Sequence, residues 1–131
     1  MPLTFAFIAP TLWAAEMHCP PALAIQSTTQ APAGWSAFDD ADHSQHQFFF
    51  AEFSDGPPQA RALLLHSKEA DLPQGRLLTY DFDAAQQPWL ICSYTTSSLT
   101  LSQRLPAAIR QCRVTLDKKT DFSTVKKIEC F

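Results

Sequence analysis

Glycine is scarce in this chain, with three residues in 131, at positions 34, 56 and 75. A phosphate-cradling loop needs several backbone positions that only glycine fills, so that class of nucleotide site is excluded. No serine stands in a G-x-S-x-G elbow. Charge is sparse as well: Asp, Glu, Lys and Arg make up 18% of the chain, and the formal net charge is −3. There is no block of Lys or Arg. The densest basic stretches are the pairs Lys118-Lys119 and Lys126-Lys127, which flank a turn and read as a solvated hairpin tip. Nucleic acid, which asks for a denser basic surface, is set aside as a main partner. The absence of any C-x-x-C argues against a zinc site and against thioredoxin-like chemistry. No segment keeps a helical apolar period beyond two turns, and no apolar run is long enough to cross a bilayer as a helix. Linkers, internal repeats and low-complexity tracts are missing too.

Hydrophobic residues are plentiful, at 46% including ten Phe and three Trp, which is enough for one domain with a real core. Residues 3–13 are apolar and uncharged, and Ala14 and Ala15 follow them. This is the pattern of a signal-peptide h-region with a cleavage zone, although no Lys or Arg precedes it. The expected organisation is therefore a signal peptide over residues 1–15 and a single β-rich domain over residues 16–131. Four cysteines, at 19, 92, 112 and 130, lie beyond that segment, and an even count after an export signal reads as two disulfides. Three pairings are open. A C-terminal hairpin about Asp121 would set Cys112 opposite Cys130 and leave Cys19 to pin the N-terminus to the strand carrying Cys92. With all four paired, none is left as a nucleophile.

Along the chain, Ala22 to Thr28 reads as a first strand after the extended lead-in Pro20-Pro21. Trp35 and Phe38 follow a Pro32/Gly34 loop as expected core anchors. His46 to Phe53 is a strand, with Phe49, Ala51 and Phe53 on one face and His46, Phe48, Phe50 and Glu52 on the other. Ser54 to Pro58 is a turn. Ala60 to His66 is a strand or short helix with Leu63, Leu64 and Leu65 as its core, and Lys68 to Gln74 is a loop. From Gly75 onward a meander is expected, with strands over 76–82, 89–95, 99–105, 109–116 and 124–131. The fold class is mostly β: an antiparallel β-sandwich or open barrel with a C-terminal meander, stapled by disulfides.

Residues able to carry chemistry are few. Asp39, Asp40, Asp42, His43 and His46 form a polar stretch that reads as an exposed acidic loop entering a strand. Imidazole beside carboxylate can bind a divalent ion, but the i, i+3 spacing aligns ligands on a helix rather than on a loop, so no metal and no cofactor are assigned. A triad assembled in space remains open, because the chain holds four His and many Asp. The surplus aromatics Phe48, Phe50, Trp89 and Tyr94 belong to the core or to a protein interface.

Cys19-Pro20, Gly34-Trp35, Phe53-Ser-Asp-Gly-Pro-Pro58, Trp89-Leu-Ile-Cys-Ser-Tyr94, Leu105-Pro106 and Cys112-Arg-Val114 occur in that order. Together they resemble a small family of exported proteobacterial proteins, some encoded near type VI secretion clusters of enteric bacteria. The resemblance spans nearly all of residues 16–131 and carries no catalytic residues. It implies a periplasmic immunity protein whose partner is a cell-wall-degrading effector. Under that reading the first candidates for the partner-binding surface are Asp39, Asp40, Asp42, His43 and His46, with Phe48 if it is exposed. The alternatives are a periplasmic ligand-binding or envelope-assembly module, which needs a deep apolar pocket with convergent polar groups, and a hydrolase, which needs a buried His touching both a carboxylate and a hydroxyl.

Overall fold

The computed structural model describes residues 2, 4, 15–25, 30–38 and 45–131. Ten strands pair antiparallel throughout, and no α-helix occurs among the described residues. The first sheet has the order β1 (Ala15–Glu16), β10 (Val125–Cys130), β9 (Gln111–Asp117), β6 (Gly75–Asp81), β5 (Lys68–Leu72). The second runs β2 (Ala22–Ala24), β3 (Gln45–Asp55), β7 (Pro88–Tyr94), β8 (Thr100–Arg104), with β4 (Leu63–Leu64) also paired to β3.

Alternation decides which side chains face inward. On β6, β9 and β10 the inner set is Leu78 and Tyr80, then Cys112, Val114 and Leu116, then Ile128 and Cys130, all buried. On β7 it is Leu90, Cys92 and Tyr94, and on β3 Ala51 and Phe53. The two inner faces meet through Phe53 of β3, whose ring centroid lies 4.7 Å from that of Tyr80 and 5.5 Å from that of Phe82. Tilted aromatic pairs at such distances add to their area burial.

Both disulfides lie in this core. Cys112 and Cys130 are direct register partners on β9 and β10 and are bonded to each other. Cys19 is bonded to Cys92 of β7. Cys19 sits at a crossover, because β1 pairs with β10 of the first sheet while β2 pairs with β3 of the second. The hydrogen bonds from Met17 N–H to the Ile128 carbonyl (2.9 Å) and from the Tyr94 hydroxyl to the Pro20 carbonyl (2.8 Å) secure the same crossover.

Several local expectations are corrected. Trp35 and Phe38 are not core anchors but lie 76% and 85% exposed. The turn from Pro32 to Trp35, closed by Trp35 N–H to the Pro32 carbonyl with Gly34 at φ 84°, pairs with no sheet, so no apolar layer stands opposite them. Of Leu63, Leu64 and Leu65 only Leu64 is half-buried, because β4 is a two-residue strand whose side chains alternate against the end of β3. Lys68–Leu72 is a strand rather than a loop, joined to β6 by the tight turn at Pro73-Gln74. The strict alternation expected for β3 is broken by a register shift between Phe48 and Phe50. This places Phe48 opposite Tyr94 on the core side, with ring centroids 6.1 Å apart.

Candidate functional site

Of the six residues proposed for partner binding, Asp39, Asp40, Asp42 and His43 lie outside the described residues. His46 and Phe48 begin β3. The backbone of His46 is in register with Leu23 of β2, and its Nδ1 lies 2.6 Å from the Thr95 carbonyl and 3.1 Å from Thr96 Oγ1. A carbonyl only accepts, so Nδ1 carries the proton and donates. Phe48 donates its N–H to the Pro21 carbonyl at 3.0 Å, and its half-buried ring rests against the core. These two residues fix the point where the chain enters the sheet at the start of β3.

On the other side of residues 39–44 in the chain stand Trp35 and Phe38. Reading them as core anchors hid them as surface residues. The signal that separates the two roles is their setting: Pro32 and Gly34 before them and a polar run after them, with no alternation to place a partner strand. The four surplus aromatics divide differently. Tyr94 is buried, while Phe48, Phe50 and Trp89 are half-buried.

Among the described residues the titratable groups do not converge on a reaction centre. His66 Nε2 lies 2.9 Å from Glu69 Oε1 and its ring stands edge-on to Tyr80, and His18 lies 3.9 Å from Glu16. Ser67 Oγ donates to Asp81 at 2.5 Å and to the Thr79 carbonyl at 3.1 Å, and Gln111 Nε2 donates to Asp81 at 2.8 Å. The hydrogen bonds from Ser67 and Gln111 hold the Asp81 carboxyl below the usual aspartate range. None of these histidines touches both a carboxylate and a hydroxyl, and no group of three or more potential metal ligands occurs among the described residues. Burial raises the Tyr80 phenol, with nearby Glu52 adding to it, and burial alone raises Tyr94.

An antiparallel β scaffold stapled twice in its core, with Trp35 and Phe38 exposed, defines a disulfide-stabilised all-β protein. The chain belongs to the type VI secretion system Tli immunity protein family, which it matches over residues 42–131. That span holds β3 to β10 and three of the four cysteines, Cys92, Cys112 and Cys130, and leaves Cys19 outside. An uncharacterised 16.3 kDa protein in the trpG 5′ region of Azospirillum brasilense is 33% identical over 108 residues, covering 76% of this chain and 71% of that protein. No solved structure matches. Family and disulfides together indicate an immunity protein of an extracytoplasmic compartment.

Proposed function

We propose that the protein resides in the periplasm and protects its cell by binding a cell-wall-targeting effector and occluding that effector's cleft. Membership of the immunity family carries this reading. Residues 1–15 act as the export signal, and the working surface is the loop containing Asp39, Asp40, Asp42 and His43, with His46 at its exit. Trp35 and Phe38 supply exposed aromatic area beside it, the residue type that most often concentrates binding energy. The two disulfides limit the freedom lost on association. The carboxylates steer a basic effector toward the surface, an effect that weakens with salt.

The test is direct inhibition. The purified protein, added in equal amount to a purified effector encoded beside it, is expected to abolish the release of peptidoglycan fragments by that effector. Inhibition of an effector that cleaves membrane lipid instead would keep the immunity role and overturn the cell-wall target. Absence of any complex would overturn the role itself.

A further inference from the structure

The outer face of the first sheet carries an open groove of about 540 Å³. Its floor is Gly75 of β6 and Thr115 of β9. A Cβ at Gly75 would overlap the Leu116 carbonyl oxygen and stand 3.2 Å from Thr115 Cγ2, so the floor stays bare. One wall is the turn Leu72-Pro73-Gln74, with Leu72 41% exposed. The other is Lys126 and Lys127. The pairing of β10 with β9 shifts register between Val125 and Lys127, and bulges of this kind re-aim side chains. Both lysines line the groove, with Lys126 Nζ 3.5 Å from Gln74 Oε1 across it.

A second groove of about 320 Å³ continues past Pro73 and Gln74 to Asp117, Lys118 and Lys119, and shares Lys126. Four of the five lysines in a chain of net charge −3 therefore line one strip. Two carboxylates line the strip beside the four lysines, Glu16 in the first groove and Asp117 in the second, and Glu16 lies 3.9 Å from His18 Nε2. Asp117 Oδ1 accepts the Lys119 N–H at 2.9 Å and so caps the turn that follows β9. Lys127 pairs with Glu129 at 3.3 Å. Among the described residues no carboxylate comes within 4.0 Å of the ammonium groups of Lys118, Lys119 or Lys126.

We propose that this strip docks an acidic protein segment: an extended stretch of Asp and Glu carrying an apolar side chain that settles over Gly75 beside Leu72. The segment is supplied by the effector, so the inference rests on the neutralisation reading and adds a second contact to it. Charge complementarity selects an anionic occupant. The recessed apolar floor favours a peptide over a membrane surface, whose headgroups would meet the lysine tips and leave the floor unfilled.

The experiment compares the full protein with Lys118→Glu/Lys119→Glu/Lys126→Glu and, as a charge-conserving control, Lys118→Arg/Lys119→Arg/Lys126→Arg. All three lysines are exposed, so melting temperature should hold. Against the effector, charge reversal should slow association by about tenfold or more, the Arg variant should retain binding, and the difference should shrink at high salt. Equal association of wild type and reversed variant would overturn the groove while leaving the immunity role intact. If the wild type binds no effector, that role fails, and the groove is judged by a second probe, an Asp/Glu-rich peptide with one central Leu. Peptide-induced NMR shifts at Leu72, Gly75 and Thr115 support the site, and their absence overturns it. Lysine-dependent sedimentation with phosphatidylglycerol vesicles, without peptide shifts, would assign the strip to membrane instead and overturn the proposal.

Discussion

Gly75 begins β6 directly opposite Asp117, and its neighbour across the ladder is the Leu116 carbonyl. Gly75→Ala forces a methyl group into backbone that has no flexible end to move aside. Strain of this kind in a packed region costs about 1–3 kcal/mol, to be read as a lower urea midpoint. Tyr80 and Tyr94 make a prediction in pH. Both phenols are raised above the ordinary tyrosine value in the folded state, chiefly by burial, so folding favours the protonated form. The stability this represents is complete below the unfolded-state pKa of about 10 and is lost as pH rises through the folded values. Urea midpoints should therefore hold below about pH 10 and fall as pH rises above it, and Tyr80→Phe should flatten that fall relative to wild type. The acidic residues behave differently. On the proposed role of this run as the partner-binding surface, Asp39→Ser/Asp40→Ser/Asp42→Ser is expected to leave the melting temperature nearly unchanged while slowing association with the effector. An unchanged association rate would mark the loop as solvated surface alone.

At the scale of elements, the C-terminal strands were legible because they alternate, but the meander expected of them does not form: β6 pairs with β9 and β7 with β3 and β8, so the successive strands β6 and β7, and β8 and β9, lie in different sheets. Leu78, Tyr80 and Phe82, then Leu90, Cys92 and Tyr94, then Cys112, Val114 and Leu116 each recur every second residue and each is buried. The hairpin of β9 and β10 follows from the same periodicity and brings Cys112 to Cys130. What escaped the sequence did so for physical reasons. β5 is Lys-Glu-Ala-Asp-Leu, exposed along its whole length, and among the described residues it pairs with β6 alone, so it carries no apolar pattern to read. Leu63 and Leu65 look like core and are exposed, since β4 contributes one inward position to the end of β3. Trp35 and Phe38 look like anchors for the same reason, residue type without a partner layer. The lysine pairs read as a hairpin tip, because neither the bulge at Lys126 nor the approach of Pro73 and Gln74 is visible in the chain's order.

The two disulfides differ in reach, with sequence separations of 18 for Cys112–Cys130 and 73 for Cys19–Cys92. In the chain-entropy picture the first stabilises by about 3 kcal/mol and the second by about 4 kcal/mol. Cys112→Ala/Cys130→Ala should accordingly lose about 2–5 kcal/mol in urea unfolding. Cys19→Ala/Cys92→Ala should lose at least as much and also loosen the crossover at Met17 and Pro20, seen as faster amide exchange there. A variant that unfolds like wild type would remove the stapling role from that pair.

On the scale of the whole molecule, the crossover at Cys19 ties the two sheets together through the Cys19–Cys92 disulfide and the Tyr94–Pro20 hydrogen bond. The run Asp39 to Asp42 is acidic in sequence, whereas the strip beside Gly75 is lined by four lysines. An effector that engages both would need a basic region and an acidic segment, which narrows its description beyond charge alone. The account also places the protein outside the cytoplasm, where its disulfides persist. Export is checked by the intact mass of protein recovered from periplasm, which should lack residues 1–15. A mass that retains Met1 would contradict the signal-peptide assignment.

The central claim is protection by a complex formed in the periplasm. Its most direct measurement is survival of susceptible cells that express the neighbouring effector with a periplasmic signal, together with either the full chain or a chain begun at Glu16 behind a new initiator Met and so confined to the cytoplasm. The account predicts survival with the full chain and lysis with the cytoplasmic form. Lysis with both, or survival with the cytoplasmic form alone, would contradict it.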